Sequence, residues 1–206
     1  KWLLSRLNTT VKEVDEHLAN YRIPESAKTL EAFVDELSNW YVRRGRERYW
    51  AKGMEKDKID AYMTLYTALV TLCKAAAPMV PFMTEDIYRN LVCSVDKSAP
   101  ESIHLCDFPA VNDAWINEEL EREMDDVLKV VVLGRACRAQ ANIKNRQPVA
   151  KMFVKAPASD VQDAAANGGL DQYFIEIIEN ELNIKDVVFT DDVREFTSYS
   201  FKPQLR

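Results

Sequence analysis

Histidine and glycine are scarce in this 206-residue chain, with two of the first and five of the second. The four cysteines, Cys73, Cys93, Cys106 and Cys137, include no CxxC pair. So few imidazoles and no paired thiols argue against a zinc site, and against a disulfide framework in a chain this long. Scattered single thiols match burial in a reducing cytosol, so a cytoplasmic location is expected. No apolar run approaches the roughly 18 residues of a membrane-spanning helix, which excludes a membrane partner of that kind. The first residues carry no signal-peptide pattern. The chain opens on Lys1-Trp2-Leu3-Leu4, already inside a helical pattern, which reads as a cut piece of a longer protein. There is no P-loop, no GxGxxG, no cluster of His, Cys and Asp, and no nucleophile beside a base. No catalytic residue, metal site or cofactor is therefore expected within these residues. Glu85 and Asp86 are adjacent acids at a predicted helix start, where the helix dipole favours them, and read as structural.

Charge is present in quantity and is unevenly placed. The formal net charge is −6. Residues 43–58 carry seven Lys/Arg against three acids, and residues 127–155 carry seven Lys/Arg and no acid. Residues 101–126 and 156–195 each balance at −8. A chain of this kind can offer a basic surface to an anion while its acidic parts face elsewhere, so overall acidity does not exclude a nucleic acid.

Apolar spacing predicts helices over most of the chain. Leu3, Leu4, Leu7, Val11, Val14 and Leu18 mark the first, to about residue 20. Pro24-Glu25-Ser26 opens a second, which runs on to about Gly53. A third spans about Lys56 to Ala76, with Ile59, Tyr62, Met63, Tyr66, Leu69, Val70 and Cys73 as its buried face. A shorter helix follows Pro81 to about Val92, and a long one runs from about Asn117 to Gln140 with Leu120, Met124, Val127, Leu128, Val131 and Val132 inward. After Pro148 the texture changes. Val149–Lys155 reads as a strand, 158–167 as a short helix, Gly168-Gly169 as a break and Leu170–Leu182 as a helix. Val187–Phe189 reads as a second strand and Glu195–Phe201 as a third. No internal repeat is visible. The expected fold is mainly α: an antiparallel helical bundle over residues 1–147, then a small α+β appendage over 148–206.

Two basic stretches stand out. "SNWYVRRGRERYW", Ser38–Trp50, holds four arginines among four aromatic residues. On a plain helical wheel Arg44 and Arg48 share the apolar stripe of Phe33, Leu37 and Trp40, while Arg43, Arg46 and Trp50 occupy the opposite half. Arg44 and Arg48 are expected to pair with carboxylates or to serve a domain interface, with Trp40 and Tyr41 in the core. Arg43 and Arg46 are expected to meet phosphates or another domain. Tyr49 and Trp50 suit either stacking on a base or packing on a domain. "GRACRAQANIKNRQP", Gly134–Pro148, is the second stretch. Arg135 and Arg138 share a helix face, and Lys144-Asn145-Arg146 follow at the helix end. Complementing the helix dipole accounts for only part of that charge, which leaves Lys144 and Arg146 as candidates for phosphate binding.

The chain resembles the isoleucyl branch of the class I aminoacyl-tRNA synthetases. The resemblance rests on "WLLSRLNTTVKEV" at 2–14, "LSNWYVRRGRERYW" at 37–50, "APMVPFMTEDIYRNLV" at 77–92, "SIHLCDFP" at 102–109 and "ANIKNRQPV" at 141–149, in that order and spacing. It implies an anticodon-binding helical bundle and a small α+β junction domain. The implied partners are tRNA-Ile and the catalytic and editing domains of a parent chain, which is expected to be monomeric. ATP and magnesium would belong to that catalytic domain, whose HIGH and KMSKS motifs are absent from these residues. RNA helices are gripped through phosphates and loops through stacked bases. The resemblance therefore implies Arg43, Arg46, Lys52, Lys144, Asn145 and Arg146 as polar contacts to tRNA, with Tyr49 and Trp50 as stacking surfaces. Two rival readings are a helical interaction scaffold, whose basic clusters pair with acids such as those of 117–126, and the valyl branch of the same class.

Overall fold

The computed structural model describes residues 1–155, 170–190 and 192–196. Their contacts form two units, Lys1–Glu118 and Glu119–Arg206.

The first unit is built of helices. Helix α1 (Trp2–Ala19) buries Leu3, Leu7, Val11 and Val14 along one stripe. Three polar residues, Ser5, Asn8 and Thr10, are buried on the same helix. Two of them tie down a distant loop: Asn8 Oδ1 accepts the Asn112 amide and Ser5 Oγ accepts the Asn117 amide, both at 2.8 Å. Tyr21 (φ 57°) ends α1 in the left-handed region, and the amides of Tyr21 and Arg22 return to the carbonyls of Leu18 and His17. Helix α2 (Ile23–Glu36) follows, with Pro24 in its first turn. The Arg6 guanidinium forks onto the Glu36 carboxylate through two 3.0 Å hydrogen bonds and locks α1 to α2. Helix α2 does not continue evenly to Gly53. It passes into a π-helical turn, Leu37–Val42, and then a separate short helix α3 (Arg46–Trp50).

Helix α4 (Lys56–Ala76) turns a different face inward from the one its large residues predict. Ile59, Tyr62, Met63 and Tyr66 are exposed, while Ala61, Ala68, Ala75 and Ala76 are buried with Cys73. Small side chains let the backbones of α1 and α4 approach closely, and Leu65, Leu69 and Leu72 fill the flanks of that seam. Helix α5 (Pro81–Tyr88) runs into a second π-helical turn, Arg89–Cys93. Glu85 is structural: its carboxylate accepts the Ile103 amide and the Ser102 hydroxyl at 2.9 Å each, and these bonds hold it below the usual carboxylate value.

The second unit holds nearly all of α6 (Glu118–Gln140), then β1 (Met152–Lys155), α7 (Gln172–Leu182) and β2 (Val187–Thr190). The two strands pair in parallel, Met152 opposite Val187 through Lys155 opposite Thr190. Helix α6 buries Met124, Val127 and Val131, whereas Val132 is exposed. Its C-terminal half packs on α7: Gly134 lies against Leu182, and Arg135 pairs with Glu181 at 2.6 Å. These contacts are why compactness divides the chain after Glu118, ahead of the change in sequence texture near Pro148. Arg194–Phe196 forms a 3-10 turn where the start of a third strand is expected. The rest of that strand, the 158–167 helix and the Gly168-Gly169 break lie outside the described residues. Among the described residues no helix is long and apolar enough to cross a membrane.

A Cβ at position 134 would collide with Cδ1 of Leu182, which is fully buried. Gly134→Ala is expected to cost about 1–3 kcal/mol by overpacking. Chemical denaturation followed by helical circular dichroism checks this; an unchanged midpoint would show that α6 and α7 tolerate more space than the geometry allows.

Candidate nucleic-acid interface

The π-helical turn decides which way the arginines face. In an α-helix the amide of each residue bonds four residues back; in the π form it bonds five back, so the turn holds an additional residue. Downstream positions are rotated by about 100° from a plain helical wheel. The core phase, which that wheel assigns to Arg44 and Arg48, passes to Gly45 and Tyr49. Gly45 sits so close that a Cβ would lie 2.8 Å from the Tyr41 carbonyl oxygen and 3.1 Å from the Tyr49 ring. Tyr49 packs edge-on between Tyr41 and Tyr62, with ring centroids 6.5 and 5.1 Å away. Burial there, aided by the neighbouring Tyr41, holds its phenol above the ordinary value of 10.0. Tyr49 is thus oriented toward other rings of the chain.

Arg44 and Arg48 flank this seam, half-buried. Arg48 donates to both carboxylate oxygens of Asp57, at 2.7 and 2.8 Å, and to the Asp57 carbonyl at 3.2 Å. Lys58 Nζ donates to the Ala51 carbonyl at 2.7 Å and closes the end of α3. Both anchors come from the start of α4 and fix α3 upon it. Arg43, Arg46, Trp50 and Lys52 are exposed, and Trp40 is buried. Arg43 Nε donates to the Asn39 carbonyl at 2.8 Å, and its guanidinium lies 5.8 Å from the centre of the Trp40 ring. The Arg46 guanidinium lies 5.4 Å over Trp50, which is 75% exposed. This pairing presents a flat aromatic surface and a cation together.

The second basic stretch closes the end of α6. Asn142 (φ 54°) takes the left-handed position, and the amides of Asn142 and Ile143 return to the carbonyls of Ala139 and Arg138. Arg138 is buried; its Nη2 donates to the Lys144 carbonyl at 2.7 Å and also to the Gln147 carbonyl. Asn183, left-handed (φ 50°) at the end of α7, donates through its side-chain amide to the carbonyls of Asn145 and Arg146, at 3.2 and 3.0 Å. Asn145 spends its own side-chain amide on the Glu181 carbonyl at 3.3 Å. Lys144 and Arg146 are exposed on this loop. The two basic surfaces belong to different units. A helical wheel places Arg138 with Arg135 but does not reveal its inward role, and Asn183 reads from sequence only as the start of a turn into the second strand. The available signal was an asparagine closing a helix before an apolar residue, as in Asn183-Ile184.

Nothing in the described residues gathers catalytic groups. A groove of about 590 Å³ between α2, α4 and α5 is lined by residues such as Leu30, Val34, Leu69, Leu72 and Met83, with only Glu31, Ser38 and Thr84 polar. Among the described residues no group of three or more His, Cys, Asp and Glu side chains is placed to hold a metal ion.

The family model for the anticodon-binding domain of tRNA ligase matches residues 1–154. The chain belongs to this family. Relatives of this anticodon-binding domain include the isoleucine–tRNA ligase of Clostridium tetani, 48% identical over 205 residues, and that of Clostridium novyi, 50% identical over 205. Each match covers 100% of this chain and 19% of the relative. Isoleucine–tRNA ligase 2 of Bacillus cereus is 41% identical over 202 residues, covering 98% of this chain and 18% of the relative. The domain therefore spans about a fifth of the length of the curated relatives it matches. Within it, Tyr49 and Arg48 hold the support of the exposed cations and Trp50 in place.

Asp57 is held below its usual 3.8 chiefly by the Arg48 hydrogen bonds, with the Arg48 and Lys56 charges acting in the same direction. A depressed carboxylate stabilises the fold above its unfolded value; that contribution is lost as pH falls from about 3.8 through the lower folded value. Arg48→Ala should raise the Asp57 midpoint toward the ordinary value, read by carboxyl-carbon NMR titration. An unmoved midpoint would mean that the fork does not persist in solution.

Proposed function

We propose that this domain grips the anticodon stem and loop of a tRNA, and specifically of tRNA-Ile. The observation that carries the reading is the family match across residues 1–154, which takes in both exposed basic surfaces. In this reading Arg43, Arg46 and Lys52 on one unit and Lys144 and Arg146 on the other meet phosphates. Trp50, backed by Arg46, offers its face to an unstacked base. Asn145 and Tyr49 act from within the protein, since their side chains are already engaged. The functional bundle is assigned to residues 1–147 and a junction module to 148–206. A family match that runs well past α6 supports that assignment.

The relatives are named isoleucine–tRNA ligases, which supports assigning this domain to a parent enzyme that joins isoleucine to tRNA at the expense of ATP. The chemistry, with ATP and magnesium, would reside in a catalytic domain, and an editing domain would accompany it. The domain's part is to hold the anticodon arm so that the acceptor end meets that site. A monomeric, cytoplasmic protein is proposed with it.

Binding of the chain to an isoleucine tRNA transcript, and to the same transcript with a changed anticodon, tests this at two salt concentrations. Binding should weaken steeply with salt and drop with the changed anticodon. Arg46→Ala and Lys144→Ala should each reduce the salt slope by about one. Absence of binding at low salt, or binding indifferent to salt, would instead assign the basic surfaces to protein interfaces.

A further inference from the structure

Four consecutive carbonyls in the basic loop, those of Lys144, Asn145, Arg146 and Gln147, all accept hydrogen bonds from two side chains of the same unit. Arg138 takes the first and last, and Asn183 takes the middle two. A carbonyl oxygen is the negative end of its peptide, so this arrangement engages every negative end of the loop with a donor of the same unit. In a trans peptide the N–H points opposite to the C=O. The amides of Asn145 and Arg146 are therefore directed away from Arg138 and Asn183, and neither has a hydrogen-bond partner among the described residues. The Lys144 and Arg146 side chains are exposed on the same loop, with no carboxylate partner among the described residues. Beneath it, Arg138 is only 7% exposed, and its Nε and Nη1 have no hydrogen-bond partner among the described residues. No carboxylate among the described residues forms an ion pair with that guanidinium. A buried cation, two outward amides and two exposed cations make a concerted positive surface of the kind that binds anions.

We infer that residues 144–147 form a preshaped receptor for the phosphodiester backbone of RNA, and that Arg138 and Asn183 are its positioning residues. The inference rests on the tRNA reading above and adds how the loop recognises its ligand. Recognition here is of backbone phosphate and indifferent to base identity, because the groups offered are amides and cations without a paired acceptor. Asn183 acts through the loop and makes no contact with RNA.

Asn183→Gly isolates the effect. Glycine accepts the left-handed φ of 50° at least as readily as asparagine, so the end of α7 is kept and only the side-chain amide is lost. Arg138→Met would take the donor from the Gln147 carbonyl, leave the Lys144 carbonyl only the Gln147 amide, and replace a buried side chain, so it perturbs the fold and the loop together and is the poorer test. The full 206-residue chain would be assayed against the isoleucine tRNA transcript and its changed-anticodon form across a salt series, as wild type, Asn183→Gly, Lys144→Ala/Arg146→Ala, and the combination. Asn183→Gly is expected to keep the thermal midpoint and weaken binding about five- to tenfold, by the same factor for both transcripts, with a shallower salt slope. In the Lys144→Ala/Arg146→Ala background it should add little, because both changes act on one receptor. Full additivity, or unchanged affinity of Asn183→Gly while Lys144→Ala/Arg146→Ala weakens binding, would overturn the positioning role alone. A larger loss with the matching anticodon would overturn the indifference to bases. No salt-sensitive binding by the wild-type chain would overturn the tRNA reading and this inference with it.

Discussion

A helix must give its last carbonyls to some donor, and in this chain the requirement is met at three helix ends without glycine. Tyr21, Asn142 and Asn183 take left-handed conformations at the ends of α1, α6 and α7. For a residue with a Cβ that conformation costs about 1 kcal/mol or more, less for asparagine, whose amide can bond locally. The returned amide bonds offset it. Asn183 contributes more than closure: its side-chain amide donates to the neighbouring loop. What begins as backbone accounting at the end of α7 thus shapes the loop that carries Lys144 and Arg146. Arg138 serves the same loop from within, its Nη2 donating to the Lys144 and Gln147 carbonyls.

In the first unit the corresponding decision is one of helical phase. Four arginines in six residues could not all be buried, and the π-helical turn determines which are turned outward. It places the Tyr49 ring against Tyr62 of α4, with the lone glycine of the run beneath that ring, and leaves Arg48 within reach of Asp57. The cations on the outer side therefore rest on a support made of rings and one forked ion pair. An exposed ion pair alone would be weak. Here the Tyr41, Tyr49 and Tyr62 rings share the task.

Much of this was readable from residue order. The stripe on α1, the proline start of α2, the long α6 and the strand–helix–strand ending follow from periodicity and breakers, because those signals are local. The face of α4 was not readable: counting large apolar residues points to Tyr62 and Met63, but close helix approach selects the alanines. Ser5 and Asn8 were likewise hidden, since a buried polar residue is justified only by a loop more than a hundred residues away. In the basic stretches, the identity of the charged residues was plain. Their roles were not, because a wheel of constant pitch cannot register a turn that holds an additional residue, and the partners of Arg138 and Asn145 are backbone carbonyls with no sequence mark.

The π-helical turn also bears on how this stretch of chain can change in length. A π turn is an α-helix that has absorbed one insertion. A chain with one residue fewer within Leu37–Val42 would run as plain α-helix and still present the same arginines in the same directions. A gap between Arg43 and Trp50 has no such reserve: it would swing Trp50 away from Arg46 and Tyr49 out from between its neighbours. Length variation compatible with this surface is therefore confined to the near side of Arg43.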